Sequence, residues 1–474
     1  MDYPVFHFDF IGGRLLIAFI AVLHVLINHA LAVGLIPLVT YLEHLGFKRG
    51  DEKLDQLAYR IMFFAFLITT TIGAMTGVGI WLSTSLVNPA SIGSLIRVFY
   101  VGWAVEWIVF VTEVVLIMIY FLSWKKSHAS PEAKKKHIRF GVALSAASWL
   151  TMAIIVAILG FMMDTGNWTE HHSLLNGLTN PIYLPQLAFR TPLAVVMAGT
   201  VVLLLTQYFA KNDPETRHYA SRKIGGVLLT LIPLTFAAAV WYYGRIPNLM
   251  IGNLQIATTT QDFQEWYGLL MKFVWSALAV TAIASIVPFF KPNALPRWAY
   301  VVPVVGMMAF AGLFERLREF IRKPYVIGEY MYSNAIRVED LPLFQRDGIL
   351  PYAAYARVHE VTPETMLTAG EDLFMLTCSK CHTTNGVNNV TEKFELMYGG
   401  VGTPLGEKGK AMGTYIQNMH NARYFMPPFP GNEKEIKALV AYIQHLQGSP
   451  GDVHPAQTDG VDPDISATFP AHSN

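Results

Sequence analysis

The sequence predicts an all-α protein, in which a polytopic bundle of about eight transmembrane helices is followed by a small soluble helical domain. Three observations predict this fold class. Only 15% of the 474 residues are charged, whereas average globular chains carry about 25%. About eight apolar segments reach the roughly 20 residues that are needed to cross a bilayer. From about residue 321 onward, charge, proline, glycine and asparagine rise sharply, and no apolar run exceeds a few residues.

The apolar segments and the change in composition divide the chain into four parts. A membrane domain over 1–320 precedes a connector over 321–361, a soluble domain over 362–448 and a tail over 449–474. The tail is rich in proline, glycine, serine and aspartate, which predicts disorder. Because the first apolar segment is full length, we expect it to remain as a membrane anchor and not to be cleaved as a leader. The predicted spans lie at 14–41, 58–84, 98–124, 139–163, 184–209, 223–245, 265–290 and 298–320.

Lysine and arginine alternate between the loops that join these spans. The loops after the first, third, fifth and seventh spans are basic, whereas the intervening loops, such as VNPASIGSL, contain neither residue. Because basic loops stay in the cytoplasm, the pattern predicts an extracytoplasmic N-terminus and, over eight spans, an extracytoplasmic C-terminus. We therefore expect a multi-pass protein of the bacterial cytoplasmic (inner) membrane. The net charge of +1 offers no large basic field for nucleic acid.

The only two cysteines of the sequence, Cys378 and Cys381, lie in TCSKCHTTNG directly before His382. A CxxCH of this kind attaches a c-type haem, with the cysteines bonded to the macrocycle and the histidine ligating iron. A zinc site would require four ligands, and no second cysteine pair exists. The motif therefore predicts one covalent haem c in the soluble domain.

The haem c iron also needs a sixth ligand, which is typically a methionine. Met426 is followed by two prolines in NARYFMPPFPG, which places it on a stiff turn. Met412, Met419 and His420 are the competing candidates. The soluble domain resembles a class I cytochrome c, whose CxxCH and MPPF-type loop recur here as CSKCH and MPPF, and this resemblance favours Met426.

Two helices are predicted on either side of this motif and loop, because apolar residues recur there at helical spacing. The predicted apolar faces consist of Ala369, Leu373, Phe374 and Leu376 in the first helix and of Ile436, Leu439, Val440, Tyr442 and Ile443 in the second.

Ionisable side chains interrupt several apolar segments, where each is energetically expensive and by default a functional hypothesis. Taken singly, each could be a hydrogen-bonded polar group that joins helices. Glu106 and Glu113 are seven residues apart and therefore share a helical face. A stacked Glu pair facing a His suits haem ligation and proton delivery to a buried reaction. The residues concerned are His24, His29, Glu106, Glu113, Arg190, Glu315, Arg316, Arg318 and Glu319.

The membrane domain resembles the haem-bearing subunit I of cytochrome bd quinol oxidases over most of 14–325. The resemblance rests on an arginine followed ten residues later by a histidine (Arg14 and His24) and on GAMTGVGIWLS, AVEWIVFVTE and EFIRKPYVI. It implies haem b, haem d or both in the membrane. The residues it implies are His24 as axial ligand of the active-site haem, Glu106 and Glu113 at that haem and its proton channel, and Glu319 as ligand of a high-spin b haem with Arg322 in the same motif.

Two departures from the family pattern concern the entry of quinol. Arg190 stands in AFRTPLAVVMAG where the family has a histidine that ligates its low-spin b haem, and arginine is a poor iron ligand. Met271 is the candidate for the methionine that accompanies this histidine. The connection at about 247–263 is short, whereas the family has a long quinol-binding loop there. A haem c on the same side of the membrane could replace the missing low-spin haem and the missing quinol-binding loop as the entry point for electrons.

The sequence therefore predicts membrane respiratory electron transfer between an extracytoplasmic haem c and b- or d-type haems in the bilayer. The leading hypothesis is oxygen reduction fed by cytochrome c, with Glu106 and Glu113 as the catalytic residues that supply protons. The alternatives are a quinol:cytochrome c oxidoreductase and a non-catalytic relay subunit of a larger respiratory complex. The expected partners are membrane subunits and a soluble or membrane-bound cytochrome or other redox donor, with quinol in the alternative.

Overall fold

The computed structural model describes residues 4–259, 267–292, 294–399 and 405–448, which are mostly helical. They form two compact units, neither of which is continuous in sequence. The C-terminal unit comprises Met1–Arg14, Pro342–Ala422 and Pro428–Asn474, and the membrane unit comprises Leu15–Leu341 and Arg423–Pro427. The structure thus groups the described residues before the first span with the C-terminal unit, whereas the sequence division has them in the membrane domain. The predicted tail, 449–474, lies outside the described residues.

The described residues of the predicted spans are almost entirely helical. Its helices are α1 (Gly12–Ile27), α2 (Leu35–Arg49), α3 (Glu52–Ile68), α4 (Ala74–Val87), α5 (Pro89–Val98), α6 (Tyr100–Ser123), α7 (Pro131–Phe161), α8 (Trp168–His171), α9 (Leu174–Leu178), α10 (Tyr183–Phe209), α11 (Pro214–Tyr243), α12 (Asn248–Thr259), α13 (Tyr267–Phe290) and α14 (Val301–Ile321).

Seven helices among the described residues are long and apolar enough to cross a membrane, so the chain is a multi-pass membrane protein. They are α1 with α2, α3 with α4, and α6, α7, α10, α11 and α14. This result confirms the predicted all-α transmembrane architecture. The predicted span 265–290 corresponds to α13, of which Leu278–Phe290 is the described apolar stretch. Residues 265 and 266 lie outside the described residues.

Short polar sequences set the ends of the spanning helices. Asp51 accepts a hydrogen bond from the backbone N–H of Leu54 at 3.0 Å at the start of α3, and Ser130 does the same for Ala133 at 3.1 Å at the start of α7. Such side chains satisfy N–H groups that have no partner inside the helix. At the other end, α2 stops at Gly50, whose φ of +65° is the left-handed conformation that glycine adopts without strain.

Two π-helical segments interrupt the first two spans. Asn28–Val33 joins α1 to α2, and Thr69–Gly73 joins α3 to α4. π-Helical turns inside α-helices are rare overall, and those that occur are often found at functional sites. The first contains His29. The second ends at Gly73, whose carbonyl oxygen contacts His24.

Helix α10 is the most buried of the spanning helices and packs against α2, α7, α11 and α14. At its closest approach, Gly34 faces the backbone of Ala194, and a Cβ at position 34 would lie 2.1 Å from the Ala194 carbonyl oxygen. Only glycine allows this contact. It holds the second half of the first span against the centre of the bundle.

A buried polar network joins α2, α3, α6 and α7. The Glu43 carboxylate accepts a hydrogen bond from Tyr120 Oη at 2.6 Å and lies 2.5 Å from His137 Nδ1. Lys134 Nζ lies 2.7 Å from Glu43 and 2.6 Å from Asp55. All five side chains are buried. Because removal of one partner would leave a buried charge uncompensated, this network fixes the four helices to one another.

The segment between α11 and α13 is not a plain loop, contrary to the sequence interpretation. Residues 248–259 form α12, in which the Asn253 side chain is fully buried and donates hydrogen bonds to the carbonyls of Ile321 at 2.9 Å and Lys323 at 2.5 Å. The apolar and polar residues of this short segment gave no clear periodicity. After α14, a two-stranded antiparallel hairpin, β1 (Tyr325–Ile327) and β2 (Met331–Tyr332), begins the connector.

The C-terminal unit is a small helical domain whose first and last long helices cross. Its helices are α15 (Leu341–Asp347), α16 (Met366–Thr377), α17 (Val390–Tyr398), α18 (Leu405–Ala422) and α19 (Glu433–Gly448). At the crossing of α16 and α19, a Cβ on Gly370 would lie 2.2 Å from the carbonyl oxygen of Ala438. All nine residues of the two predicted apolar faces are buried, so the helical interpretation of both segments was correct.

Candidate haem-binding sites

The CxxCH motif folds as a tight turn at the end of α16. The backbone N–H groups of Cys381 and His382 donate to the carbonyl of Cys378 at 3.0 and 2.9 Å, and the N–H of Cys378 donates to Phe374 at 2.9 Å. The first cysteine is therefore held on the last helical turn and the second one turn further on. This is the spacing that lets two thiols and one imidazole address a single macrocycle.

The orientation of His382 is set by the loop that follows it. His382 Nδ1 lies 3.0 Å from the Asn388 carbonyl oxygen, and Asn388 Nδ2 donates to the carbonyl of Cys381 at 2.7 Å. A carbonyl can only accept, so Nδ1 carries the proton and Nε2 is the nitrogen that can ligate iron. Iron- and zinc-ligating histidines generally have such a partner on the second nitrogen. The residues present therefore fit a haem c.

Replacement of Asn388 should loosen this arrangement. Asn388 has a φ of +62°, a left-handed conformation that costs an alanine roughly 1–2 kcal/mol, and its side-chain hydrogen bond contributes about 1 kcal/mol. We expect Asn388→Ala to lower the unfolding free energy of the domain by about 2 kcal/mol and Asn388→Gly, which tolerates the φ, by about half as much. Chemical unfolding followed by haem c absorbance measures both, and equal losses in the two variants would contradict the backbone argument.

Apolar surroundings affect two groups within the motif. Burial raises the pKa of the Cys378 thiol to about 11, against a hydrogen bond with Thr377 that lowers it. Burial lowers the pKa of the Lys380 ammonium to about 8, and its Nζ donates to the carbonyl of Leu376 at 2.9 Å. The side chains of Cys378, Cys381 and His382 themselves are half-buried, and their immediate neighbours Thr377, Ser379, Lys380 and Thr383 are buried.

The predicted sixth ligand lies in a short turn of the segment NARYFMPPFPG. Met426 is half-buried, and its N–H donates to the carbonyl of Arg423 at 2.8 Å within the turn that the two prolines follow. This turn belongs to the membrane unit, whereas His382 belongs to the C-terminal unit. Among the competing candidates, Met412 is fully buried in α18, whereas Met419 and His420 are half-buried. Ligation by Met426 stays a prediction.

In the membrane unit, His24 is held by the second π-helical segment. Its Nδ1 lies 3.2 Å from the carbonyl oxygen of Gly73 and 3.2 Å from Thr76 Oγ1. The Thr76 hydroxyl itself donates to the carbonyl of Ile72 at 2.7 Å. A Cβ on Gly77 would lie 3.2 Å from the imidazole. The ring is therefore oriented with Nδ1 as the donor and Nε2 as the available ligand nitrogen, which fits the axial ligand of a haem.

Glu113 is fixed by two hydroxyl groups of α7. Ser148 Oγ donates to one carboxylate oxygen at 2.6 Å and Thr151 Oγ1 donates to the other at 3.1 Å. Glu106, seven residues earlier on α6, is half-buried like Glu113. The two carboxylates lie along one helix at a spacing of about 10 Å, and Glu113 is in a fixed polar setting. Their catalytic role stays a prediction.

Arg190 lies at the centre of a second buried network. Its Nη1 donates to His29 Nε2 at 3.1 Å and its Nη2 donates to Glu315 at 2.5 Å, while Arg318 Nε donates to the other Glu315 oxygen at 2.9 Å. Arginine has no acceptor atom, so His29 Nε2 must be the acceptor. His29 is thus a hydrogen-bond acceptor for Arg190 of α10, which in turn forms an ion pair with Glu315 of α14. Its hydrogen bond to a guanidinium leaves it unsuited to ligate iron.

The two remaining predicted residues flank the end of α14. Glu319 is half-buried on the last turn, and Arg322 is buried with its Nη1 3.5 Å from Met162 Sδ. Both take part in further interactions within the fold, and the roles implied for them stay predictions. The side chain of Met271 lies outside the described residues.

Several residues of these sites were missed by sequence reasoning. Asn388 follows His382 by six residues in HTTNGVNN, where repeated asparagines beside a glycine indicate a turn. The sequence does not indicate that the Asn388 carbonyl binds His382. Ser148 and Thr151 carry no pattern that distinguishes them from other hydroxyl residues in apolar helices. Gly73 contributes only its backbone carbonyl, which no side-chain pattern in the sequence identifies.

Together these features define a class: an all-α, multi-pass membrane chain with a haem-attachment motif is a membrane electron-transfer protein. Residues 365–443 match the family model described as cytochrome c oxidase, cbb3-type, subunit III. This match confirms the predicted c-type cytochrome domain at the C-terminus, and with it the haem c.

One solved structure, "The structure of bd oxidase from Geobacillus thermodenitrificans", is similar to this chain with a TM-score of 0.49 and 13% sequence identity. The similarity covers 68% of this chain and 88% of that chain. The haems and ligands of the membrane unit remain a proposal. No curated protein matches the sequence.

Proposed function

We propose that this protein is a respiratory oxidoreductase of the bacterial cytoplasmic membrane that takes electrons from an extracytoplasmic cytochrome or other redox donor and reduces oxygen. The observation that carries the proposal is His24, whose Nδ1 is engaged by Gly73 and Thr76 in the manner of metal-ligating histidines. His24 would hold a b- or d-type haem, with Glu319 as ligand of a second haem. These groups, with haem c, would supply one-electron transfer and oxygen chemistry.

The residues of α6 and α7 support a supply of protons to such a site. Ser148 and Thr151 hold the Glu113 carboxylate in one orientation, and Glu106 follows on the same helical face. Oxygen reduction consumes protons as well as electrons. Two carboxyl groups in series within an apolar helix can take up and release protons where water is scarce.

The Arg190 network supports the direction of electron flow. At the position where the bd-type resemblance implies a haem-ligating histidine, a guanidinium is bound between His29 and Glu315. An ion pair of this kind is a stable structural unit and offers no ligand to iron. The membrane unit is thus unlike one that oxidises quinol through a haem at that position. Electrons would instead enter through the cytochrome c domain.

The segments that make up the C-terminal unit support eight membrane spans, with both termini on the same side of the membrane. This unit contains residues from before the first span and after the last one. Because we do not expect a compact unit to extend across a bilayer, this grouping supports an even number of membrane crossings. Seven candidate spans were found among the described residues, and α13, with 24 residues, would supply the eighth. With the basic loops in the cytoplasm, both termini would then be extracytoplasmic.

The test of this proposal is a spectroscopic and kinetic comparison on the purified full-length protein. A pyridine haemochrome assay counts c-type against b-type haem, and a reduced-plus-carbon monoxide difference spectrum detects a gas-binding membrane haem. We expect both haem types, carbon monoxide binding, and oxygen consumption driven by reduced cytochrome c. Absence of gas binding would overturn oxygen reduction, and quinol-driven reduction of haem c would favour the reverse flow. Co-purification in mild detergent would show whether a membrane partner subunit is present.

A further inference from the structure

The segment before α1 forms part of the cytochrome c domain. Asp9 accepts hydrogen bonds from the backbone N–H groups of Thr384 at 2.6 Å and Asn385 at 3.2 Å, although Asp9 and Thr384 are 375 residues apart in sequence. The carbonyl of Phe10 accepts a third, from the N–H of Val387 at 3.1 Å. Both carboxylate oxygens and the next carbonyl of this segment thus bind one short loop.

That loop is the one that orients the haem-ligating histidine. It begins directly after His382 and ends at Asn388, whose carbonyl accepts from His382 Nδ1. Thr383 Oγ1 donates to the carbonyl of Val387 at 3.0 Å and closes the loop on itself. Contacts that restrict the motion of this loop therefore also restrict the orientation of the His382 imidazole, through its hydrogen bond to Asn388.

The fit between the segment and the loop is close at Gly386. A Cβ at this position would lie 2.1 Å from the carbonyl oxygen of Asp9 and 2.2 Å from that of Phe10. No side chain can occupy that space, so the contact requires glycine. Close backbone packing of this kind distinguishes a built interface from a chance contact of a chain terminus.

His7 completes the arrangement and keeps Asp9 charged. His7 Nε2 lies 3.0 Å from Asp9 Oδ1, and its ring packs edge-on against Phe374 of α16 at 6.0 Å between centroids. Burial raises the pKa of Asp9, but hydrogen bonds from His7, Thr384 and Asn385 outweigh it and lower the pKa from 3.8 to about 2. Asp9 is therefore an anion at neutral pH.

The geometry points to residues 7–10 as a positioning element for haem c, in which Asp9 fixes the loop after His382 and holds the reduction potential of the haem down. A negative charge close to the ligand histidine stabilises the more positively charged oxidised iron, and a fixed loop preserves the hydrogen bond that makes His382 a stronger donor. Asp9 acts through the loop and is a positioning residue. This inference rests on the haem c assignment and is independent of oxygen reduction and of the direction of electron flow.

The experiment is a redox titration of haem c in the full-length protein and its variants, followed by absorbance. Asp9→Asn removes the charge and keeps an acceptor oxygen, and we expect an upward shift of the midpoint potential. Gly386→Ala displaces the same contact without changing charge and should shift the potential in the same direction. Asp9→Glu keeps the charge and should shift it less. Glu364→Gln removes an exposed charge elsewhere in the unit and should leave the potential unchanged.

A second measurement needs no variant. Amide hydrogen exchange of the wild-type protein should show residues 384–387 protected to a degree comparable with the flanking helices, because the N-terminal segment binds three of their N–H groups. An unshifted potential in Asp9→Asn, or an equal shift in Glu364→Gln, would overturn the inference. So would rapid exchange of these amides in the wild type. If the titration succeeds while no gas binds the membrane haem, only the proposed oxygen reduction fails.

Discussion

In the His24→Ala variant, we expect carbon monoxide binding to the reduced membrane haem and cytochrome c-driven oxygen consumption to fall by more than about 100-fold. Loss of a residue that only orients a metal ligand costs about 10–100-fold, and loss of the ligand itself should exceed that range. Because the C-terminal domain carries its own haem, the haem c content should stay at the wild-type level. Difference spectra and oxygen electrode rates measure the two losses.

Two further variants calibrate this result. His44→Ala removes an exposed histidine of α2, within the same first span, and should leave gas binding and turnover unchanged. Thr76→Val removes one of the two groups at His24 Nδ1 and should give an intermediate loss of about 10-fold. Wild-type carbon monoxide binding in His24→Ala would mean that another residue ligates the haem, and the assignment of His24 would be wrong.

Glu315→Ala is expected to lower the unfolding free energy of the membrane unit by about 3–5 kcal/mol, because breaking a buried pair leaves uncompensated charge behind. Both carboxylate oxygens of Glu315 are bound by arginines, Arg190 and Arg318. The side chain of Arg190 is only 1% exposed, so its charge could not turn to solvent. Thermal unfolding in detergent, followed by circular dichroism, measures the loss.

Glu215→Ala is the matched control for this variant. Glu215 is exposed on the first turn of α11, where removal of a carboxylate should cost less than about 1 kcal/mol. A double variant, Glu315→Ala with Arg190→Leu, should recover part of the loss, since it removes one of the two cations that lose their carboxylate partner. A loss in Glu315→Ala no larger than that of Glu215→Ala would show that the network contributes nothing to stability.

Sequence patterns predicted the parts of this protein that depend on near neighbours in the chain. The spans follow from apolar length, and the CxxCH motif places its three residues within five consecutive positions directly after α16. The apolar faces of α16 and α19 follow from helical periodicity, because residues three and four apart share a face. In each case the physical cause acts over a few residues, so the sequence contains it directly.

The parts that sequence reasoning missed depend on groups far apart in the chain. The partner of Arg190 Nη1 is His29, 161 residues away, and that of Nη2 is Glu315, 125 residues away. From the sequence, Arg190 could be identified only as a residue that does not ligate iron. Its actual role depends on which helices pack together, and apolar periodicity alone does not determine that packing.

The C-terminal unit is discontinuous in sequence, and this constrains the order in which the protein can fold during and after synthesis. Residues 4–14 leave the ribosome before the spanning helices that follow them, whereas the loop they bind is made after those helices. Bringing together two segments so far apart in the sequence carries a loop-closure cost, which is lower once the intervening helices are fixed in the membrane. Completion of the cytochrome domain should therefore be one of the last steps of assembly, following membrane integration. An unfinished or misinserted chain would lack the fully held histidine loop, so a mature haem c spectrum would report that the whole polypeptide has been assembled.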